Sequence, residues 1–117
     1  MNGGAATVKL VIAVIKPEQL PAVKKSLFDA QVRHLTAMPV MGTTTRTEQA
    51  MYRGVQREVS LFNRVRLEVA VNDAQLETAI QAISAGAMES GGSGKILVTE
   101  LTDAVTVWTG LRGPRAL

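Results

Sequence analysis

The 117-residue sequence predicts one α+β domain in which a strand–helix–strand unit occurs twice. Three observations carry that reading. Val8-Lys-Leu-Val-Ile-Ala-Val-Ile15 is a β-branched run of strand length, apolar residues then recur at helical spacing, and the same succession returns from Val65. The length suits a single domain spanning residues 1–117, with its core over residues 8–110.

The first strand ends at Lys16–Pro17, where proline is tolerated in a first helical turn. Leu20, Val23, Leu27 and Phe28 then stripe a helix over residues 17–30, while Glu18, Lys24, Lys25 and Asp29 face away. A second strand is expected over 32–40. Residues 41–58 follow neither period, and so long an irregular insertion in a small domain points to function or disorder. Val65, Leu67, Val69 and Val71 alternate with Arg66, Glu68 and Ala70 as a half-buried strand. Asn72 or Asp73 caps a second helix over 74–88, striped by Leu76, Ala79, Ile80, Ile83 and Ala87. A glycine-rich loop over 89–95 feeds a strand over 96–101. A short last strand is expected over 104–109, and the Gly/Pro-rich tail 110–117 reads as loose.

Two such units with right-handed crossovers make a ferredoxin-like βαββαβ sandwich, a four-stranded antiparallel sheet with both helices on one face. The other face is left open. Either Val11, Ala13 and Ile15 or their alternates lie there, and an apolar face of that kind predicts self-association.

Composition excludes several classes. The chain has no cysteine and one histidine, His34, so it has no disulfide framework, thiol nucleophile or Cys-based metal site. A histidine metal centre would need several subunits, and no carboxylate pair stands at a spacing suited to acid–base catalysis; we expect neither a metal nor an enzyme. The net charge of +3 is spread thinly, with Lys24–Lys25 and Arg64/Arg66 the longest basic clusters, which suits small anions better than a duplex. The strands carry no aromatic pair for RNA stacking. Residues 10–15 are too short an apolar run to cross a bilayer, and residues 1–7 lack the features of a secretory signal. A cytoplasmic protein without a membrane span is expected. Only Phe28, Tyr52, Phe62 and Trp108 are aromatic, so aliphatic packing must fill the core.

The loop Gly91–Gly92–Ser93–Gly94–Lys95 has two readings. Its glycines allow close backbone approach to a phosphate, its amides form an anion-binding nest, and Lys95 adds charge. Alternatively it is a flexible helix-to-strand turn with a surface lysine. It is not a Walker loop, since Ile96 follows the lysine and Glu89 replaces the first glycine.

With Ile15–Lys16–Pro17, Tyr52–Arg53–Gly54 near the end of the irregular stretch, Gly92–Ser93–Gly94–Lys95–Ile96 and Thr109–Gly110 in this order, the chain resembles the PII (nitrogen regulatory P-II) signalling family. The resemblance implies a homotrimer that binds adenine nucleotides in clefts between subunits, with residues 41–58 as the T-loop that docks on a transporter, enzyme or regulator. It places Val14, Thr36 and Ala70 around the adenine, with the backbone of His34, Leu35 and Thr36 reading the base edge. Gly91, Gly92, Ser93, Gly94 and Lys95 would hold phosphates, joined by Arg64 and Arg46. Thr43, Thr44, Thr45, Met51 and Tyr52 become the partner-facing part of the loop, and Arg46, Arg57 and Arg64 are candidates for a second anion.

The departures are as informative. The family's glutamine that helps hold magnesium and 2-oxoglutarate is missing from Gly42–Thr43–Thr44–Thr45–Arg46–Thr47, and Arg57 stands at the uridylylated tyrosine's position. Ser93 replaces an aspartate, and Thr106 and Trp108 replace an Arg-x-Arg pair that clamps outer phosphates. Each lost charge-assisted contact is worth about 1.5–3 kcal/mol. ADP or AMP is therefore expected to bind at least as well as ATP. Trp108 is either a core or trimer-axis packing residue or a stacking platform by the nucleotide; Met38, Met41, Met51 and Met88 are expected to fill gaps, with partner docking the alternative for Met51. The chain is also similar to PII-like relatives lacking that glutamine and tyrosine, which are associated with inorganic carbon and carboxysome gene neighbourhoods; this implies bicarbonate as second ligand. The alternative is a nitrogen regulator acting on an ammonium transporter or nitrogen-metabolism enzyme.

Overall fold

The computed structural model describes residues 7–43 and 60–117. It contains β1 (Val8–Ile15), α1 (Leu20–Asp29), β2 (Leu35–Gly42), β3 (Phe62–Asn72), α2 (Leu76–Met88) and β4 (Lys95–Leu101). The strands form one sheet ordered β2-β3-β1-β4, antiparallel at every pairing. This is the expected ferredoxin-like topology.

Side-chain alternation sets the layers. Val11, Ala13 and Ile15 of β1 and Leu67, Val69 and Val71 of β3 are buried, packed with Val23 and Leu27 of α1 and Ala79, Ala82, Ile83 and Ala87 of α2. Their alternates Leu10, Ile12, Val14, Arg66, Glu68 and Ala70 are half-buried on the open face. Of the two sets left open by the sequence, the alternates are therefore the uncovered ones. Gly86 is where the helices touch: a Cβ there would lie 2.6 Å from Val23 Cα and 2.9 Å from the Ala22 carbonyl oxygen. Among the described residues no helix is long and apolar enough to cross a membrane.

Helix ends differ from expectation in instructive ways. A 3-10 turn, Pro17–Gln19, precedes α1. At its other end Gln31 takes a left-handed φ of 65°, and the Val32 and Gln31 amides donate to the Leu27 and Phe28 carbonyls at 2.9 Å. This is a Schellman closure, and it commits Val32 to the helix end. Hence β2 starts at Leu35 rather than at residue 32, and runs on to Gly42. Phe28, expected on the core stripe, is 58% exposed, with the Arg33 guanidinium carbon 4.6 Å from its ring centroid. Met41 and Met88 are also exposed rather than gap-filling.

Of the two candidate caps for the second helix, Asn72 serves: its side-chain oxygen accepts the Gln75 amide at 2.9 Å. Asp73 instead accepts from Lys9 Nζ at 2.8 Å and from Thr7 Oγ1 at 2.6 Å. The Lys9 hydrogen bond, followed by that from Thr7, lowers the Asp73 pKa to about 2 from 3.8. A carboxylate held down in the folded state stabilises it above its unfolded pKa, and that contribution is lost as pH falls through the folded value. Asp73→Asn is therefore expected to flatten the stability profile between about pH 4 and 2, read by thermal melts across pH, with little change in its slope above that range.

The expected strand over 104–109 does not form. Val105 makes a single bridge to Arg112, because the Gly110 amide closes back on the Thr106 carbonyl at 2.8 Å and turns the chain. Nor is the tail loose: Gly113–Ala116 is a 3-10 turn, Arg112 ion-pairs with Asp103, and Thr106 Oγ1 donates to the Ala116 carbonyl at 2.7 Å. Val8 is buried beside this segment, at a hollow lined by Leu101, Asp103, Arg112 and Pro114. Trp108, at the turn's tip, is 93% exposed and is no part of the protomer's core.

Candidate functional site

Strand register fixes where the candidate residues stand. Lys95 pairs with Val14, Val14 with Arg66, and Arg66 with Met38, making one row across the open face. Arg64 lies just beyond, opposite Val40. Thr36 pairs with Glu68, and Ala70 with Leu10. Leu10 is four residues from Val14, roughly 13 Å along the strand. Val14, Arg64 and the glycine loop thus form one group, His34 and Ala70 stand toward the opposite end, and Thr36 lies in the row between them. An adenine ring is too small to touch both Val14 and Ala70 of one protomer. The structure does not bring those proposed adenine contacts together within a single chain. β4 ends where Leu101 meets Val8, so the Trp108 turn follows from the Ala70 end.

Leu35 turns its side chain toward the core, where it packs against the buried cluster. Only its backbone, on an edge strand, is available at the sheet margin. His34 and Thr36 are exposed. Arg64 folds back, donating to the Asn63 carbonyl at 2.8 Å with its guanidinium carbon 5.4 Å from the Phe62 ring centroid. Arg66 is neutralised by Glu68 at 3.1 Å. Lys95 is exposed and has no ion-pair partner among the described residues. Thr43 is exposed at the end of β2; Thr44, Thr45, Arg46, Met51, Tyr52 and Arg57 lie outside the described residues.

The glycine loop has a defined shape. Gly91, Gly92 and Gly94 have φ of 108°, 65° and 132°. At Gly94 a Cβ would sit 2.7 Å from the Val14 carbonyl oxygen, so only glycine lets the loop lie against the end of β1. The Gly92 amide is consumed internally, donating to the Ala87 carbonyl at 3.0 Å, as Ser90 does at 3.1 Å. Gly92 N–H is consequently withdrawn from the anion nest read from the sequence. Among the described residues, no carbonyl outside the helices and ladders accepts from Gly91, Ser93 or Gly94.

Sequence reasoning missed Gln19, which is fully buried. Its Oε1 accepts the Lys16 amide at 2.7 Å, while Nε2 donates to the Ala87 carbonyl at 3.1 Å and the Ser93 carbonyl at 3.3 Å. A glutamine three residues past a helix-start position is half of a capping-box signature. Here the start residue is Lys16 rather than serine or threonine, which hides the signal.

These features define a ferredoxin-like domain with a shaped, cation-bearing glycine loop beside the end of its first strand. Residues 8–111 match the family model described as "Nitrogen regulatory protein P-II". The chain is 39% identical over 113 residues to nitrogen regulatory protein GlnK1 of Methanosarcina mazei, covering 93% of this chain and 97% of that protein. It is 34% identical over 111 residues to GlnK of Escherichia coli, with 93% and 99% covered. Among solved structures, Arabidopsis thaliana PII bound to citrate aligns with a TM-score of 0.75 at 27% identity, covering 97% of this chain and 95% of that one. GlnK of B. subtilis aligns at 0.75 and 28%, covering 95% and 99%. The chain belongs to the nitrogen regulatory P-II family of signalling proteins.

Proposed function

We propose that this chain is a non-enzymatic, cytoplasmic PII regulator that assembles as a homotrimer, takes ADP, AMP or ATP in clefts between subunits, and switches its T-loop to control a partner protein. The observation that carries the reading is the glycine loop, held in left-handed conformations against Val14 and followed by the exposed Lys95. The separation of Val14 from Ala70 on the open face supports clefts built by two subunits: the loop end of one protomer meets the His34–Ala70 end of the next. A ligand can switch the T-loop only through contacts made in one loop state and not the other.

The relatives named nitrogen regulatory proteins favour control of a nitrogen-related target. The missing glutamine and the arginine at position 57 favour the second reading, a bicarbonate-responsive regulator of inorganic carbon. Neither requires uridylylation. Thr106, whose hydroxyl is tied to the tail, and Trp108 supply no phosphate cation, which supports ADP or AMP binding at least as well as ATP.

Calorimetric titration with ADP, AMP, ATP, bicarbonate and 2-oxoglutarate tests this. Lys95→Ala is expected to weaken ADP binding by about 10- to 100-fold, the loss of one charge-assisted contact. Wild-type indifference to every adenine nucleotide, or monomers in sedimentation, overturns the reading. Tight 2-oxoglutarate binding with magnesium and ATP would reject the effector assignment.

A further inference from the structure

Gln19 is the sole fully buried polar side chain among the described residues, and all its hydrogen bonds go to backbone at the junction of three segments. Oε1 holds the Lys16 amide where β1 ends. Nε2 reaches the Ala87 carbonyl near the end of α2 and the Ser93 carbonyl in the glycine loop. The Ala87 carbonyl also receives Ser90 and Gly92, so one carbonyl and one carboxamide gather both ends of the loop.

Peptide planarity gives this a direction. In a trans peptide the C=O and N–H point opposite ways. Holding the Ser93 carbonyl inward on Gln19 therefore turns the Gly94 N–H outward, away from the buried side chain. The reverse holds two peptides earlier, where Gly92 N–H points inward to Ala87 and the Gly91 carbonyl is turned away from it. An anion is repelled by an outward carbonyl and attracted by an outward amide. Gly94 itself is lodged against the Val14 carbonyl, so its neighbour Lys95 enters β4 from a fixed point.

We infer that Gln19 is the positioning residue of the anion loop: it aims the Gly94 amide, beside the Lys95 ammonium, at the phosphate of the bound nucleotide. The inference rests on the nucleotide reading above but makes its own claim about the ligand-free loop. A glutamine lost from this spot leaves the half-buried Ser93 carbonyl and Lys16 amide without their partner, while Ala87 keeps the Ser90 and Gly92 amides, and the Ser93–Gly94 peptide is free to rotate.

Gln19→Met keeps the volume and removes all three bonds. In the ligand-free variant, hydrogen exchange at residues 90–95 is expected to rise about 10-fold or more, and ADP affinity to fall about 10-fold, at a temperature where the protein is folded. Val71→Ala, a core change at the end of the sheet opposite the loop, serves as the destabilised control and is expected to lower the melting temperature without either change. Loop exchange equal to wild type in Gln19→Met overturns the inference, whether or not nucleotide binds. If Gln19→Met does not fold, the wild type decides by NMR. The Gln19 side-chain amide protons are expected to be protected from exchange without ligand and to shift on ADP saturation along with the Gly94 amide. Unprotected side-chain protons, or a Gly94 shift that leaves Gln19 unmoved, refute it. Loop protection lost in Gln19→Met while wild type ignores every adenine nucleotide would uphold the loop geometry and sink only the nucleotide reading.

Discussion

Gly94→Ala is expected to weaken ADP binding by about 100-fold in calorimetric titration. Two effects act together. The added methyl would meet the Val14 carbonyl oxygen at 2.7 Å, and φ of 132° is a conformation that alanine rarely adopts. The obstructing atom is backbone in a central strand, paired on both sides with β3 and β4, so the loop has to retreat rather than the strand. Retreat carries the Gly94 amide and Lys95 away from the site. A positional strain of this kind costs about 1–3 kcal/mol, so the melting temperature falls as well. ADP affinity at the wild-type level would mean that this loop does not form the phosphate site.

The largest effect on stability is expected at Gly86. Gly86→Val places branched carbons where the Val23 Cα already stands 2.6 Å from a Cβ position, and these neighbours are helix backbone that cannot rotate aside. Overpacking of this sort costs about 1–3 kcal/mol, with more where backbone must move. Because α1 and α2 cover the same face of the sheet, their separation also loosens contacts of Val23, Leu27 and Ile83. Chemical denaturation should show a lower midpoint, whereas an unchanged midpoint would show that the helices can part without loss. Gly86→Ala should fall between the two, since its single methyl meets the same backbone atoms.

Much of the fold was legible because the central strands alternate cleanly. Val65, Leu67, Val69 and Val71 could be assigned a face by parity alone, and the β1 run had strand length and a proline stop. The errors fall where local chemistry outweighed periodicity. Gln31 adopts a left-handed conformation that glutamine does not advertise, and that moved the start of β2. A turn closed by Gly110 with an Arg112–Asp103 ion pair converted an apparent strand and a loose tail into one folded terminal segment. Phe28 was read as core on spacing, yet its ring is capped by Arg33 at the margin of the helix.

The candidate site was legible as composition and obscure as geometry. Glycines and a lysine announced an anion loop, but which amides face outward depends on the Ala87 carbonyl at the end of the preceding helix and on Gln19, far away in sequence. The distance between Val14 and Ala70 likewise follows from the β1–β3 register, which no single motif encodes. Arg64 was chosen for its charge; its fold-back onto Phe62 depends on the local backbone.

The exposed turn carrying Trp108 also equips the molecule with an optical reporter. The chain has one tryptophan, and its indole stands almost wholly in water, so emission from the free protomer should be that of a solvated ring. Covering the tip, whether by another subunit or by a stacked base, should move that emission to the blue or quench it, and the assembly and the ligand can each be followed in real time without a label.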